Sequence, residues 1–285
     1  MPSLPEHFHP SEADSAGQSW SGRSFSDNPF RDDDGTAPAA FVAAMQRFRA
    51  REAGPDAVVD ALREARVLIP LVAKLGEAGV NERGSTVDKS ADLSIVTVAG
   101  PDGRTVLPVF TSAEAMKRWN PAARPVPALM QRAAISAAAE GSDLIVVDAT
   151  SDTEFVVRRP AVWAIAQERA WLAPWVNPVV ADELSRVMAE LADVAGVDLV
   201  PGDPEARLTG PELRVVLHVG SALGRDELAD LSRRASELLQ ESEAFRTAVD
   251  SLGISFSRAA SPHRREAQGP AGPDPRRSWW RRRGD

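Results

Sequence analysis

Charged and polar side chains gather around two predicted strands in the first half of this sequence. They lie at strand ends or in the following turns and helix: Asp88, Lys89, Asp102, Arg104, Thr111, Ser112 and Trp119. Charged groups that meet at the ends of neighbouring strands can bind a polar ligand. The same residue types are also typical of turns, helix caps and hydrated surfaces. The group is therefore a candidate ligand-binding site, with purely local structure as the alternative.

A second candidate site lies at the C-terminal end. Residues 258–285 carry eight basic residues against three acidic ones, and they include Trp279, Trp280, Arg281, Arg282 and Arg283. Tryptophan beside arginine can bind an anionic membrane surface or stack on single-stranded nucleic acid. The basic tail could also fold back onto the acidic residues 171–257, or have no single partner.

Catalytic, metal and cofactor motifs are missing from the sequence. The absence of cysteine excludes disulfides, thiolate zinc sites and iron–sulfur clusters. No nucleophile elbow, lysine-bearing phosphate loop or dinucleotide fingerprint occurs. His218, the only histidine in the predicted folded part, lies in a predicted strand, where a structural or solvent-facing role is expected. We therefore expect a protein that is not an enzyme and that holds no cofactor or metal.

The composition describes an ordinary globular chain. It has 285 residues, is 43% hydrophobic, and carries a net charge of −8, which excludes a general nucleic-acid binder. The apolar runs are too short to cross a bilayer and the N-terminus lacks the pattern of a secretory signal. We expect a cytoplasmic protein whose partner is another protein.

Composition and charge divide the chain into five segments. Residues 1–37 are predicted to be disordered, and residues 38–55 to hold an amphipathic helix with Phe41, Met45 and Phe48 on one face. Two folded units follow, at 56–170 and 171–257, and residues 258–285 form a disordered basic tail. Trp171 and Trp175 lie at the junction, where they are expected to pack the units together.

In the first folded unit, apolar spacing predicts a helix over 56–66 and a strand over 67–72. Pro70 inside that strand predicts an edge or bulged position. Alternating residues over 93–99 and 105–110, joined by Pro101-Asp102-Gly103, predict a β-hairpin.

Capping residues and prolines delimit the elements that follow the hairpin. Thr111 and Glu114 predict a capping box. Prolines at 121, 125 and 127 predict a break before a helix over 128–140, and strands are predicted over 143–148 and 154–158. Pro160 predicts the start of a further helix, whose apolar face is expected to carry Trp163 into the core.

In the second unit, Asn177 and Pro178 predict a helix start. Strands are predicted over 196–200, 213–219 and 252–256, and a long helix over 226–245. Because helices and strands interleave without regular βαβ units, the fold class is α+β. We expect mixed or antiparallel sheets with helices packed on one face, in two consecutive small units with disordered termini.

Several short motifs in the first unit carry a family resemblance. They are Leu68-Ile69-Pro70-Leu71-Val72, Asp88-Lys89, Pro101-Asp102-Gly103-Arg104, Pro108-Val109-Phe110-Thr111-Ser112, Trp119 and Ala123-Arg124-Pro125-Val126-Pro127. In this order they resemble the SseB family, named for enhanced serine sensitivity, in its actinobacterial form. The resemblance covers about 56–170, and the second unit is similar to the family's C-terminal half in element order. It implies an α+β fold and a cytoplasmic bacterial protein, and it implies no reaction.

Three functional hypotheses follow. The leading one is a non-catalytic adaptor whose folded units bind another protein. The second is a sensor for a small molecule, with the strand-end residues as its pocket; an amino acid as ligand is suggested only by the family name. The third is a tether to an anionic membrane or nucleic acid through the tryptophan- and arginine-containing tail.

Overall fold

A computed structural model describes residues 29–74, 92–191, 193–220 and 223–258, and these residues form an α+β fold. The helices are α1 (Ala39–Arg49), α2 (Pro55–Arg63), α3 (Ala113–Trp119), α4 (Met130–Ala139), α5 (Arg159–Ala166), α6 (Pro178–Ala189), α7 (Arg225–Glu241), α8 (Glu243–Ala248) and a 3-10 turn, Pro174–Val176. The strands are β1 (Arg66–Lys74), β2 (Asp92–Ile95), β3 (Val98–Ala99), β4 (Thr105–Val109), β5 (Arg124–Leu129), β6 (Leu144–Val147), β7 (Phe155–Val157), β8 (Val194–Pro201), β9 (Leu213–Val219) and β10 (Leu252–Arg258). In the described ranges, no helix is long and apolar enough to span a membrane.

The first sheet is antiparallel, with the order β2-β1-β5. β1 is its central strand, so the edge alternative predicted from Pro70 is wrong. On the β2 side, Pro70 falls between the Leu68–Phe110 bridge and the pairing that starts at Leu71. On the β5 side it lies opposite Pro125. The proline is therefore tolerated in the middle of the sheet because it occupies a gap in the ladder.

β5 is an edge strand of this sheet. It includes residues 124–127, where the prolines predict a break in the chain. Pro125 and Pro127 lie within it, and an edge strand tolerates the missing donors of both. The predicted strand over 93–99 is divided as well. Its first part, β2, pairs with β1, and its second part, β3, forms the expected hairpin with β4. Gly103 has a φ of +83° in the hairpin turn, which glycine adopts without strain.

The second sheet is mixed, with the order β3-β4-β6-β7. β4 and β6 are parallel, and the other two pairs are antiparallel. Alternate residues of these strands face opposite sides of the sheet. On one side Leu107, Ile145 and Val157 pack with α1, α2, α4 and α5 in a cluster we call the N-terminal core. On the other side Val106 and Leu144 pack against Leu208.

The predicted amphipathic helix is α1, and its apolar residues Phe41, Met45 and Phe48 are all buried in the N-terminal core. Trp163 is 45% exposed, so its predicted core position is wrong. α5 buries Ala161, Val162 and Ile165. Trp163 follows Val162 by one residue and falls on the opposite face of the helix.

The third sheet, β10-β9-β8, is also mixed, with β10 parallel and β8 antiparallel to β9. Its apolar side chains pack with α6, α7 and α8 around Leu184, Leu217 and Leu239, in a cluster we call the C-terminal core. The predicted helix over 226–245 is divided at Ser242. The Ser242 hydroxyl accepts a hydrogen bond from the Phe245 amide and so starts a separate helix, α8.

Candidate functional site

A buried network of charges joins the two cores, and Arg158 is its centre. This residue lies between β7 and α5, and is only 6% exposed. Its Nη1 atom donates to Asp250 Oδ2 and to Ser251 Oγ, both at 3.1 Å. Its Nη2 atom donates to Asp203 Oδ2 and to the Gly210 carbonyl, both at 2.7 Å. One arginine of the first folded unit, 56–170, is therefore held by four groups of the second, 171–257.

Arg104 joins the same network from the hairpin between β3 and β4. Its two terminal nitrogens donate to the two oxygens of Asp250 at 2.8 and 3.0 Å, and its Nε donates to Asp102 Oδ2 at 2.7 Å. Burial opposes ionisation of Asp250, but hydrogen bonds and positive charge from Arg104 and Arg158 outweigh it, so its pKa lies below the ordinary value. Asp250 is therefore an ionised carboxylate shared by two arginines.

Asp203 links the network to the connection between β8 and β9. Its carboxylate accepts from the Leu208 amide at 2.7 Å and from the Thr209 hydroxyl at 2.9 Å. This fixes the turn that carries Leu208 beneath the second sheet and Ala206 into the N-terminal core. The carbonyl of Ala206 accepts from the Val156 amide of β7 at 2.7 Å. The connection therefore packs against both sides of the second sheet.

Glu212 is the second buried acid at this interface, with 4% exposure. Its Oε2 accepts from the Asp250 amide at 2.6 Å, and within the described ranges it makes no ion pair. Burial, together with the negative charge of Asp250, raises its pKa to about 7. The hydrogen bond from the Asp250 amide and the positive charges of Arg158 and Arg159 oppose this shift. Glu212 therefore exchanges its proton near neutral pH.

A cavity of about 370 Å³ lies beside Arg158, Asp203 and Glu212. Its remaining walls come from the α1–α2 connection, α2, β7, α5, the residues before α6 and the end of β8. Most of these wall residues are apolar, and four carry aromatic rings: Phe48, Phe155, Trp171 and Trp175. The cavity thus combines apolar walls with a few polar groups, the usual composition of a small-molecule site.

Trp171 and Trp175 contact different cores. Trp171 packs against the N-terminal core and Trp175 against the C-terminal core, and both line the cavity. The indole N–H of Trp171 is shielded from solvent and has no acceptor among the described residues. Trp171 and Trp175, which the sequence predicts to pack the two units together, thus also form a wall of the cavity.

The structure places the predicted strand-end site residues in different local contacts. Asp102 and Arg104 belong to the charge network. The hydroxyl of Thr111 donates to Asp148 at 2.6 Å, Ser112 caps α3, and Trp119 packs on Phe110 with ring centres 5.2 Å apart. None of these five residues lines the cavity beside Glu212.

Two groups of predicted site residues lie outside the described ranges: Asp88 and Lys89, and the C-terminal residues Trp279, Trp280, Arg281, Arg282 and Arg283.

The capping box predicted at Thr111 is wrong, because the N-cap of α3 is the next residue, Ser112. Ser112 accepts from the Ala115 amide at 3.1 Å and is the N-cap of α3. Thr111 instead gives both its amide and its hydroxyl to Asp148. His218 is paired with Asp198 of the neighbouring strand at 2.8 Å. In the described part of the chain, no cluster of three or more histidine or acidic side chains could hold a metal ion.

Sequence inspection missed Arg158, Asp203, Glu212 and Asp250. The only local signal is a charged residue next to an apolar strand: Arg158 follows β7, and Glu212 and Asp250 lie shortly before β9 and β10. Such positions are common on protein surfaces, so the sequence alone does not single them out.

Comparison with known proteins gives one match. Residues 41–164 match the family model described as the SseB protein N-terminal domain. No curated protein and no solved structure matches the chain. The matched segment begins in α1, ahead of residue 56 where the motif resemblance starts, and ends in α5. It contains Arg104 and Arg158 and leaves out Asp203, Glu212 and Asp250. Residues 41–164 are therefore similar to SseB protein N-terminal domains.

Proposed function

We propose that this protein is a non-catalytic cytoplasmic sensor that binds a small molecule in the cavity between its two cores. The observation that carries this proposal is the cavity itself, in which aromatic and apolar walls meet the buried groups of Arg158, Asp203 and Glu212. Its volume of about 370 Å³ is in the range of small-molecule sites.

The position of the cavity supports a sensor more than a passive binding protein. A ligand in it would contact Phe48 and Phe155 of the N-terminal core, and Pro201 and Glu212 of the second folded unit. Such a ligand would add contacts that exist only when the two folded units are packed together. Occupancy would therefore stabilise one arrangement of the units, which a downstream partner could distinguish.

A thermal-shift screen of metabolites tests this proposal. A ligand at about 100 times its Kd adds ~2.7 kcal/mol to the free energy of unfolding, which raises the melting temperature measurably. Ala53→Trp fills part of the cavity and should abolish the shift. The matched control Ala164→Trp changes a residue of a different groove and should retain it. If no compound stabilises the native protein, or if Ala53→Trp responds like the native protein, the proposal is wrong.

Protein binding, the leading hypothesis from the sequence, is a second candidate function. It is favoured by an exposed apolar groove between α5, α6 and α8, lined by Trp163, Leu172 and Val179, with Val176 exposed beside it. Contiguous apolar surface of this kind marks interaction sites.

Site-specific crosslinking in cells tests the groove. A photo-reactive amino acid at position 163 should give an adduct of defined mass, whereas the same group at position 135 should give none. Ile135 is similarly exposed but is not part of this groove. Equal adducts at both positions, or none at 163, would contradict a specific protein partner there.

A further inference from the structure

The charges that line the cavity are unequally paired. Arg158 is neutralised by Asp203 and Asp250. Arg51, at the cavity wall, pairs with Glu205. Glu52 and Glu212 also line the cavity, and neither has an ion-pair partner in the described ranges. A ligand entering this space therefore meets two carboxyl groups that are free to pair, while both lining arginines are already neutralised.

Aromatic rings surround the same space. Phe48 and Phe155 contact each other edge to face, with ring centres 5.5 Å apart, and Trp171 and Trp175 form further walls. The negative face of an aromatic ring attracts a cation, and tryptophan does so most strongly. Carboxyl groups together with several aromatic rings are a chemical environment suited to an organic ammonium group.

We propose that the ligand of this cavity is an organic cation, an amine on an apolar body, whose ammonium group pairs with Glu212 and whose body contacts the four aromatic rings. This inference rests on the proposed function, because it assigns a ligand class to the same cavity. An oxygen atom on the ligand could also accept the hydrogen bond that the indole N–H of Trp171 offers.

The surroundings of Glu212 should make amine binding depend on pH. Its pKa of about 7 reflects burial and the charge of Asp250, opposed by Arg158 and Arg159. An ammonium group pairs with the ionised carboxylate, so binding must displace the proton of Glu212 at lower pH. Amine affinity should therefore increase about tenfold for each unit by which the pH rises toward 7, and it should level off above pH 7.

Calorimetric titration of the full-length chain with three probes of equal size tests the ligand class. Tyramine is cationic, tyrosol is its neutral analogue, and 4-hydroxyphenylacetate is its anionic analogue. We expect tyramine to bind at least about tenfold more tightly than either analogue above pH 7, because only it can pair with the carboxylate. Below pH 7 this preference should shrink.

Two variants test the residue assignment. Glu212→Gln should weaken tyramine binding at least about tenfold above pH 7 and remove its pH dependence. The amide oxygen can still accept from the Asp250 N–H, so the local hydrogen bond is kept. Glu190→Gln, an exposed position at the end of α6, is the matched control and should bind as the native protein does.

The outcomes separate this inference from the proposed function. If tyrosol or 4-hydroxyphenylacetate binds as tightly as tyramine, and Ala53→Trp abolishes that binding, the cavity is a ligand site but the cation assignment is wrong. If Glu212→Gln leaves tyramine affinity and its pH profile unchanged, the assignment of Glu212 is wrong. If none of the three probes binds, the cation assignment is also wrong, and the proposed function is then decided by the metabolite screen.

Discussion

Two sets of ion pairs in this protein have similar geometry and opposite surroundings. At the interface between the cores, Arg158 lies 3.1 Å from Asp250, and their side chains are 7% and 1% exposed. On α7, Arg233 lies 3.2 Å from Glu237, and both side chains are more than half exposed. Water replaces a partner lost on α7 more readily than one lost at the interface, where the side chains are almost fully buried. We therefore expect burial, and not distance, to decide how strongly the fold depends on a charge pair.

The largest effect is expected from removing the centre of the buried network. Arg158→Met leaves Asp203 and Asp250, whose side chains are each only 1% exposed, without this guanidinium. We expect it to lower the free energy of unfolding by about 3–5 kcal/mol, measured by urea denaturation. Arg186→Met removes an exposed arginine of α6 and is the control, with a change below about 0.5 kcal/mol. Similar small losses in both variants would show that burial does not separate the two sets.

The next effect depends on pH. The pKa of Glu212 is raised from 4.5 to about 7, so the folded state retains a proton that the unfolded chain has already lost. Between these two values the native protein loses stability as the pH rises. Glu212→Gln cannot ionise and should escape this loss.

Glu212→Gln should therefore match the native protein below pH 4.5 and exceed its stability by up to about 3 kcal/mol above pH 7. Urea denaturation across this pH range measures the difference, with Glu190→Gln as a control whose difference from the native protein should not change with pH. A pH-independent difference would contradict a buried titrating carboxyl group at position 212.

Replacing Arg104, the partly exposed arginine of the network, should have an intermediate effect on the free energy of unfolding. Arg104 is 37% exposed, and its partner Asp250 keeps Arg158 when Arg104 is replaced. We expect Arg104→Met to cost about 1–2 kcal/mol, since a charged hydrogen bond is lost without stranding the carboxylate. A loss equal to that of Arg158→Met would show that Asp250 depends on both arginines together.

The smallest effect belongs to the exposed helix. Arg233→Ala on α7 removes pairs with Asp230 and Glu237, and should change the free energy of unfolding by at most about 0.5 kcal/mol. Added salt should abolish this difference, because exposed charges are screened. A larger effect that persists in high salt would mean that these pairs contribute as strongly as buried ones.

The sequence predicts elements best where one local signal decides them. Apolar spacing places α1, the turn residues before Gly103 place the hairpin of β3 and β4, and Asn177 with Pro178 starts α6. The sequence is less informative where contacts between distant residues determine the position or the start of an element. Pro70 is central because its neighbours leave a gap in the ladder, and Ser112 caps α3 because Thr111 is bound to Asp148.

The candidate site is harder to predict than the fold for a related reason. Arg233 and Glu237 are four residues apart, so helical periodicity reveals their pairing. Arg104, Arg158 and Asp250 are separated by 54 and 92 residues and meet only when both folded units have formed. Asp102 and Arg104 can be identified from the sequence as charges at strand ends. No spacing rule connects them with Glu212 or with the aromatic rings of the cavity.

The contact between Val156 and Ala206 has a consequence for how the protein resists aggregation. β7 is an edge strand, and unpaired backbone groups on an edge can recruit a strand from another molecule. The β8–β9 connection covers this edge through the hydrogen bond from the Val156 amide to the Ala206 carbonyl at 2.7 Å, so it hinders β-pairing between molecules. A fragment limited to residues 41–164 would lack this connection and would expose an edge that is covered in the longer chain.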